Sequence, residues 1–165
     1  MTSITLETVD FSFYDENKVE ELSKKISNIC EFGYGFFYLK LQQNYADGVR
    51  DIIGAGKSFF GLPESEKLKL TNDDDLCFYK IQGKLIKGTG PGYRGKGTDP
   101  NFPLDSRESY NISSEFFDPV TQTGSGKNKW PCNDDLLPRN WKEVVNKYIE
   151  IMLDISIKMR SVIGM

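Results

Sequence analysis

The side chains that most often carry catalysis are narrowed at the outset, because none of the 165 residues is histidine. A Ser-His-Asp triad, a Cys-His dyad, a His-ligated zinc and a facial His/carboxylate iron site all require imidazole. None of them can be assembled from these residues alone. The three cysteines, Cys30, Cys77 and Cys132, are far apart and odd in number. They contain no Cys-x-x-Cys pair, which argues against a zinc knuckle or a dithiol redox site, and buried or incidental thiols are expected.

Glycine supplies the next candidate chemistry. Gly90-Pro91-Gly92-Tyr93-Arg94-Gly95 matches G-x-G-x-x-G, and its continuation through Lys96, Gly97 and Thr98 approaches a phosphate loop. Such a loop works only where it opens a helix whose first amides face the phosphate. Here Asp99-Pro100-Asn101-Phe102-Pro103 follows, which cannot continue as a helix of any length, and Gly97 stands where a hydroxyl for magnesium is needed. An irregular loop is expected over Gly90–Gly97, with nucleotide binding as the rival reading.

Asp73-Asp74-Asp75 lacks the alternate spacing, glycine turn and distant Glu of a calcium loop, and reads as a solvated loop. Glu64 with Glu66, and Asp134 with Asp135, lie in charged surroundings and read as surface. Asn111-Ile112-Ser113 is a formal glycosylation sequon. Without a secretory signal it is expected to go unused.

The totals fit an ordinary globular chain large enough to bury a core. Hydrophobic residues make up 38% and charged residues 27%, and the net charge is −3. That balance argues against a nucleic-acid binder, which would carry a basic face. No apolar run has the length of a membrane span, and the first residues lack a charged-then-apolar leader pattern. The chain is read as cytoplasmic, with neither nucleic acid nor membrane as partner.

Positioning elements follow from periodicity. Residues 4–13 alternate apolar with polar, as a half-buried strand does. Asp15 or Asn17 can cap the helix that follows, with Glu20 placed for a capping box. Val19, Leu22, Ile26, Ile29 and Cys30 give that helix its apolar face, and Gly33 and Gly35 end it. Gly35-Phe36-Phe37-Tyr38-Leu39 reads as a buried strand. A second helix carries Tyr45, Val49, Ile52, Ile53, Phe59 and Phe60 on one side, with Gly54 and Gly56 each weakening it by about 1 kcal/mol relative to Ala. Leu62-Pro63-Glu64-Ser65-Glu66-Lys67 reads as a helical turn opened by proline.

From about 76 to 137 loops and two or three brief strands are expected, one near Ser109-Tyr110-Asn111-Ile112. Thr123–Asn128 is expected to be flexible. Trp141, Val145, Tyr148, Met152, Ile155, Met159 and Val162 then recur at alternating four- and three-residue steps, widened by Val144, Ile149 and Ile163. That stripe predicts a helix of about 25 residues ending near Gly164. The fold class is mixed α/β: strand, helix, strand and helix over 1–70, an irregular region with short strands over 71–137, and a long amphipathic helix over 138–163.

Several pieces in order resemble the N-terminal region of the isopenicillin N synthase-like non-haem iron, 2-oxoglutarate-dependent dioxygenases. Phe32-Gly33-Tyr34-Gly35-Phe36-Phe37-Tyr38-Leu39 is similar to the family's GFF strand. Ser58-Phe59-Phe60-Gly61-Leu62-Pro63-Glu64-Ser65-Glu66-Lys67 resembles its FF-x-LP-x-x-x-K element. Gly92-Tyr93 followed by Asp105-Ser106-Arg107-Glu108-Ser109-Tyr110 resembles its GY…D-x-x-E-aromatic stretch. Trp130-Pro131, Leu137-Pro138 and Trp141 resemble the WP…P-x-x-aromatic lead into a long helix. After Leu39 the family's frequent Asn-His-Gly is replaced by Lys40-Leu41-Gln42-Gln43.

The resemblance implies a double-stranded β-helix core in a complete relative. Iron is held there by H-x-D…H, with 2-oxoglutarate bound by an R-x-S arginine, all downstream of the long helix. Fe(II) and 2-oxoglutarate are therefore implied for a complete family member and no cofactor for this chain, which is expected not to catalyse by itself. Tyr93 and Arg94, beside the GY element that some members use for substrate contact, are the substrate-binding candidates; no catalytic or metal-ligating residue is assigned. The expected partner is the missing jelly-roll domain or a full-length paralogue. The alternatives are a non-catalytic subunit docking its helix stripe on such a partner, and a small enzyme using carboxylates or the Gly90–Gly97 loop. Exposed alone, the stripe and the early strand edges are association liabilities.

Overall fold

The computed structural model describes residues 5–71, 76–81, 84–97, 104–113, 117–118, 123–124, 127–131 and 136–164. It divides into two compact units, Met1–Gly56 with Asn140–Met165, and Lys57–Arg139.

The first unit opens with strand β1, Thr8–Asp10, shorter than the alternating run that predicted it. Asp15 caps the following 3-10 turn, Glu16–Lys18, by accepting a hydrogen bond from the Asn17 amide. The turn feeds helix α1, Val19–Phe32. The chain leaves α1 through Gly33 and Gly35, whose amides both donate to the Ile29 carbonyl. Gly35 has φ of 75°, which glycine adopts without a Cβ penalty. Strand β2, Tyr38–Lys40, then returns parallel to β1 with Val9 opposite Leu39. A parallel pair needs a crossover, and α1 supplies it. Across the pair the Lys40 ammonium lies 2.7 Å from Asp10, whose carboxyl falls to about 2 through the hydrogen bonds from Lys40 and then Ser12.

Helix α2, Gln43–Phe60, begins in this unit, and the 23-residue helix at Trp141–Ile163 completes it. Val9, Phe11, Ile26, Ile29 and Val162 form the core cluster, with Leu22, Phe37, Leu39 and Met159 packed against it. The long helix buries Trp141, Val145, Ile151, Ile155 and Val162. The Trp141 indole donates to the Ala55 carbonyl at 2.9 Å, which pins the helix start to α2. Further along, a Cβ at Gly48 would lie 2.3 Å from Ile151 Cδ1, so glycine permits the close approach of α2 there.

Three expectations are corrected in this unit. The run Gly35–Leu39 is buried on one side only: Phe37 and Leu39 pack against the core cluster, while Phe36 is 59% and Tyr38 63% exposed. Alternate residues of an extended chain face opposite sides, so a continuous apolar run can leave half of its side chains in water. Cys30 is exposed rather than on the apolar face of α1. On α2, Phe59 is buried as expected, but Ile53 and Phe60 are exposed and Ala55, outside the expected stripe, is buried. Here the helical stripe is set by small as well as large residues.

Among the described residues, the second unit contains the last turn of α2, helix α3 at Glu64–Leu68, and six strands. Strands β3 (Leu76–Ile81) and β4 (Lys84–Thr89) pair antiparallel over their whole length, from Leu76 opposite Thr89 to Ile81 opposite Lys84. Strand β7 (Phe117–Asp118) pairs with β8 (Thr123–Gly124), and β8 with β3, giving the order β4-β3-β8-β7. Separately, β5 (Gly92–Arg94) pairs antiparallel with β6 (Ser109–Asn111). Strand is thus more extensive than the two or three pieces expected. Thr123 and Gly124, expected to be flexible, belong to β8. Asp73–Asp75, Cys132, Asp134 and Asp135 lie outside the described residues, as does the side chain of Cys77. The remaining helix, Trp141–Ile163, is α4 in chain order.

Candidate functional site

The sequence-derived site residues Tyr93 and Arg94 are consecutive on β5, opposite Tyr110 and Ser109 of β6. Successive strand residues point to opposite faces, so the two side chains serve different surroundings. Tyr93 is 2% exposed. Its amide donates to the Leu70 carbonyl at 3.0 Å, and its hydroxyl donates to Glu108 Oε2 at 2.7 Å. Around the ring stand Phe59, edge-on at 6.2 Å between centroids, and the Lys67 ammonium, 5.4 Å from the centroid. Phe59 also meets the Tyr110 ring at 4.5 Å.

Lys67 and Glu108 are the partners that sequence reasoning missed. Both lie inside motifs it used, Leu62–Lys67 and Asp105–Tyr110, yet nothing in either motif says that they meet. Lys67 is buried on α3, and its ammonium lies 2.6 Å from Glu108 Oε2 and 3.3 Å from the Phe60 carbonyl. The Lys67 hydrogen bond, reinforced by that of Tyr93, holds the Glu108 carboxyl below the usual glutamate range. Lys67 is raised in turn by its bond to Glu108. Burial first, then Glu108, raises the Tyr93 phenol. At neutral pH the set is therefore a lysinium and a carboxylate, with a neutral phenol as hydrogen-bond donor.

Arg94 is half-buried. Its terminal nitrogen makes one long bond, 3.4 Å, to the Gly90 carbonyl, while its Nε is closed to solvent and has no acceptor. The backbone around it is packed: Gly90, Pro91, Gly92 and Gly95 are all buried. Gly92, at φ 130°, takes a conformation reserved for glycine. The Gly90–Gly97 segment thus runs through a strand into a turn, with the Gly97 amide donating to the Asp105 carbonyl. Among the described residues, Gly92 to Gly97 opens no helix, so the amide fan of a phosphate loop is not built within this segment. Beside it, Asp105 pairs with the Arg107 guanidinium at 2.8 Å, and the Arg107 backbone and side-chain hydrogen bonds lower its carboxyl. Elsewhere in the unit, Leu62, Leu70, Pro131, Leu136 and Leu137 line an apolar hollow of about 370 Å³.

The family model for the N-terminal region of "non-haem dioxygenase in morphine synthesis" matches residues 6–133. The chain belongs to this family, as the ordered motifs lead one to expect. Among curated relatives, the 2-oxoglutarate-dependent dioxygenase tropC of Talaromyces stipitatus is 29% identical over 154 residues, covering 90% of this chain and 43% of the relative. The 2-oxoglutarate-dependent dioxygenase eupC of a Phoma species is 26% identical, covering 92% and 48%. A homoarginine-6-hydroxylase of Arabidopsis thaliana is 28% identical, covering 89% and 38%. The chain thus spans less than half the length of each of these relatives. No solved structure matches it.

Complete relatives described as 2-oxoglutarate-dependent imply Fe(II) and 2-oxoglutarate. The residues present do not fit the metal. The sequence has no histidine, and among the described residues no three Cys, Asp or Glu side chains gather as a ligand set. Among the described residues, no helix is long and apolar enough to cross a membrane.

Proposed function

We propose that these residues act as the N-terminal portion of an iron(II)/2-oxoglutarate-dependent dioxygenase. In this reading they frame a catalytic jelly roll, line the mouth through which substrate reaches it, and do not catalyse alone. One observation carries the reading. Helix α4 leaves part of its broad apolar surface uncovered in its own unit: Ile149, Met152, Leu153 and Ile157 are 42%, 37%, 60% and 47% exposed. Large apolar side chains left in water along one helix are costly and mark a surface to be covered. Relatives of which the chain spans less than half carry further chain that could cover it. A jelly roll is the covering element that the family supplies. Arg94, with Tyr93 holding its strand, would face the substrate path.

The test is co-expression of the chain with a jelly-roll segment of a relative that carries H-x-D…H. The chain alone is expected to bind a hydrophobic dye or to self-associate. With the segment it should form a complex that turns over 2-oxoglutarate. A compact, dye-silent chain that ignores the segment would overturn the reading. The same face also suits a non-catalytic subunit docked on a separate jelly-roll protein or a full-length paralogue. A stable complex in which 2-oxoglutarate turnover belongs to the partner alone would select that version.

A further inference from the structure

Two other cations of the same unit are already neutralised. Lys67 pairs with Glu108 at 2.6 Å and Arg107 with Asp105 at 2.8 Å. Arg94 differs. It is half-buried, its Nε is sealed from water without an acceptor, and its one hydrogen bond is a 3.4 Å contact to a neutral carbonyl. No carboxylate among the described residues lies within ion-pair distance of it. A partly desolvated guanidinium without a counter-charge is unfavourable, and buried polar atoms are nearly always satisfied in a working state.

The support beneath Arg94 is rigid. Tyr93 is fixed at its amide by Leu70 and at its hydroxyl by Glu108, and the flanking glycines and Pro91 are buried. A charge held at a fixed place on a packed strand is how a recognition group is preorganised.

We propose that Arg94 is the receptor for a carboxylate carried by a small-molecule substrate. This rests on the substrate-mouth reading above and names the chemical class that the mouth admits. The planar guanidinium fork matches the two oxygens of a carboxylate, which a lysine would not. A single cation matches a singly charged group. A phosphate would call for the several backbone amides of a helix N-terminus, and the Gly90–Gly97 turn does not present them. Tyr93 is the positioning residue for this contact and does not touch the ligand, because it faces the other side of the strand and its hydroxyl is committed to Glu108.

The experiment follows the side-chain Nε–H resonances of the full chain by NMR while sodium acetate is added, with acetamide as the neutral isostere. Arg94 is expected to shift saturably with acetate and not with acetamide. Arg107, already paired, should stay still. Arg94→Gln should abolish the response without altering the amide spectrum elsewhere, and Arg94→Lys should weaken it. An Arg94 resonance indifferent to acetate, equally responsive to acetamide, or an acetate response that survives Arg94→Gln overturns the proposal. So does an Arg94 that ignores acetate but shifts when the jelly-roll segment is added, which would assign the counter-charge to a protein side chain. The two readings fail separately. A positive titration in a chain that never assembles removes the substrate-mouth reading alone, and assembly with a silent Arg94 removes the carboxylate alone.

Discussion

Two lysine-carboxylate-tyrosine sets, one in each unit, use the same chemistry to different ends. In the second unit Lys67 and Tyr93 both donate to Glu108 Oε2, and the ammonium sits 5.4 Å above the Tyr93 ring. In the first unit Lys158 and Tyr45 both donate to Asp154 Oδ2, and the ammonium sits 5.3 Å above the Tyr45 ring. The difference lies in burial and in reach. The side chains of Lys67 and Glu108 are 7% and 24% exposed, those of Lys158 and Asp154 26% and 41%. Lys67 and Glu108 stand 41 positions apart and tie α3 to the approach of β6, while Asp154 and Lys158 are i,i+4 neighbours on one helix. The second-unit set joins distant elements through its buried ion pair. The first-unit set keeps its ion pair within α4 and reaches α2 only through the Tyr45 hydroxyl.

The largest contrast is expected from removing each ammonium. Lys67→Met leaves a largely buried carboxylate without its cation and should cost roughly 3–5 kcal/mol. Lys158→Met leaves Asp154 near water, and a partly exposed pair of this kind contributes under about 1 kcal/mol. Denaturant unfolding of the two variants measures both. A sharper form of the comparison adds Glu108→Leu to Lys67→Met, removing both charges together. Much of the loss should return, because the penalty of the single variant lies in the orphaned charge rather than in the missing bond. Equal losses for Lys67→Met and Lys158→Met would erase the distinction.

The acid limb should separate the sets next. Glu108 is held low by Lys67 and then Tyr93, Asp154 by Lys158 and then Tyr45. A carboxyl lowered in the folded state stabilises fully above its unfolded pKa and loses that contribution as pH falls through the folded value. Stability should therefore decline below the ordinary carboxylate range in both units, more steeply for the set with the buried cation. At the other extreme, Lys67 and Tyr93 are raised. Their contribution is complete below their unfolded values and is lost as pH rises through the folded ones. Glu108→Gln should flatten the acid limb more than Asp154→Asn, as read from unfolding midpoints across a pH series.

How much of this was legible in the sequence divides along the same line between local and distant. The long helix was, because its stripe repeats with the helical period over 23 residues. Ile151, buried yet outside the stripe as read, was lost because the apolar face is broader than a single seam. Helix α1, its Gly33 end and β6 near Ser109 were legible from local signals alone. Of the run Gly35–Leu39, Phe37 and Leu39 were rightly expected to be covered, while Phe36 and Tyr38 were misjudged because a continuous apolar run hides which face another element covers. Tyr93 and Arg94 were reached through a resemblance, which offered both as substrate contacts and did not distinguish the buried Tyr93 from the half-buried Arg94. Lys67 and Glu108 were named only as members of their motifs, because pairing over such a distance leaves no mark in composition or period. Their burial is visible only once α3 and the β5–β6 pair are placed.

Salt offers the smallest and most discriminating contrast. Screening acts on exposed charges and little on buried pairs; at about 0.15 M the Debye length is roughly 8 Å and at 1 M about 3 Å. The Asp154–Lys158 pair, partly open to solvent, should lose most of its few tenths of a kcal/mol over that range. The Lys67–Glu108 pair should keep nearly all of its contribution, since Lys67 is enclosed and its second donor contact is the Phe60 carbonyl. The measurement is a double-mutant cycle for each pair at low and high sodium chloride. Coupling in the first-unit cycle is expected to shrink toward zero, and coupling in the second-unit cycle to stay constant. Parallel loss in both would mean that Lys67 is open to ions in solution and that Tyr93 is not held as firmly as a fixed Arg94 requires.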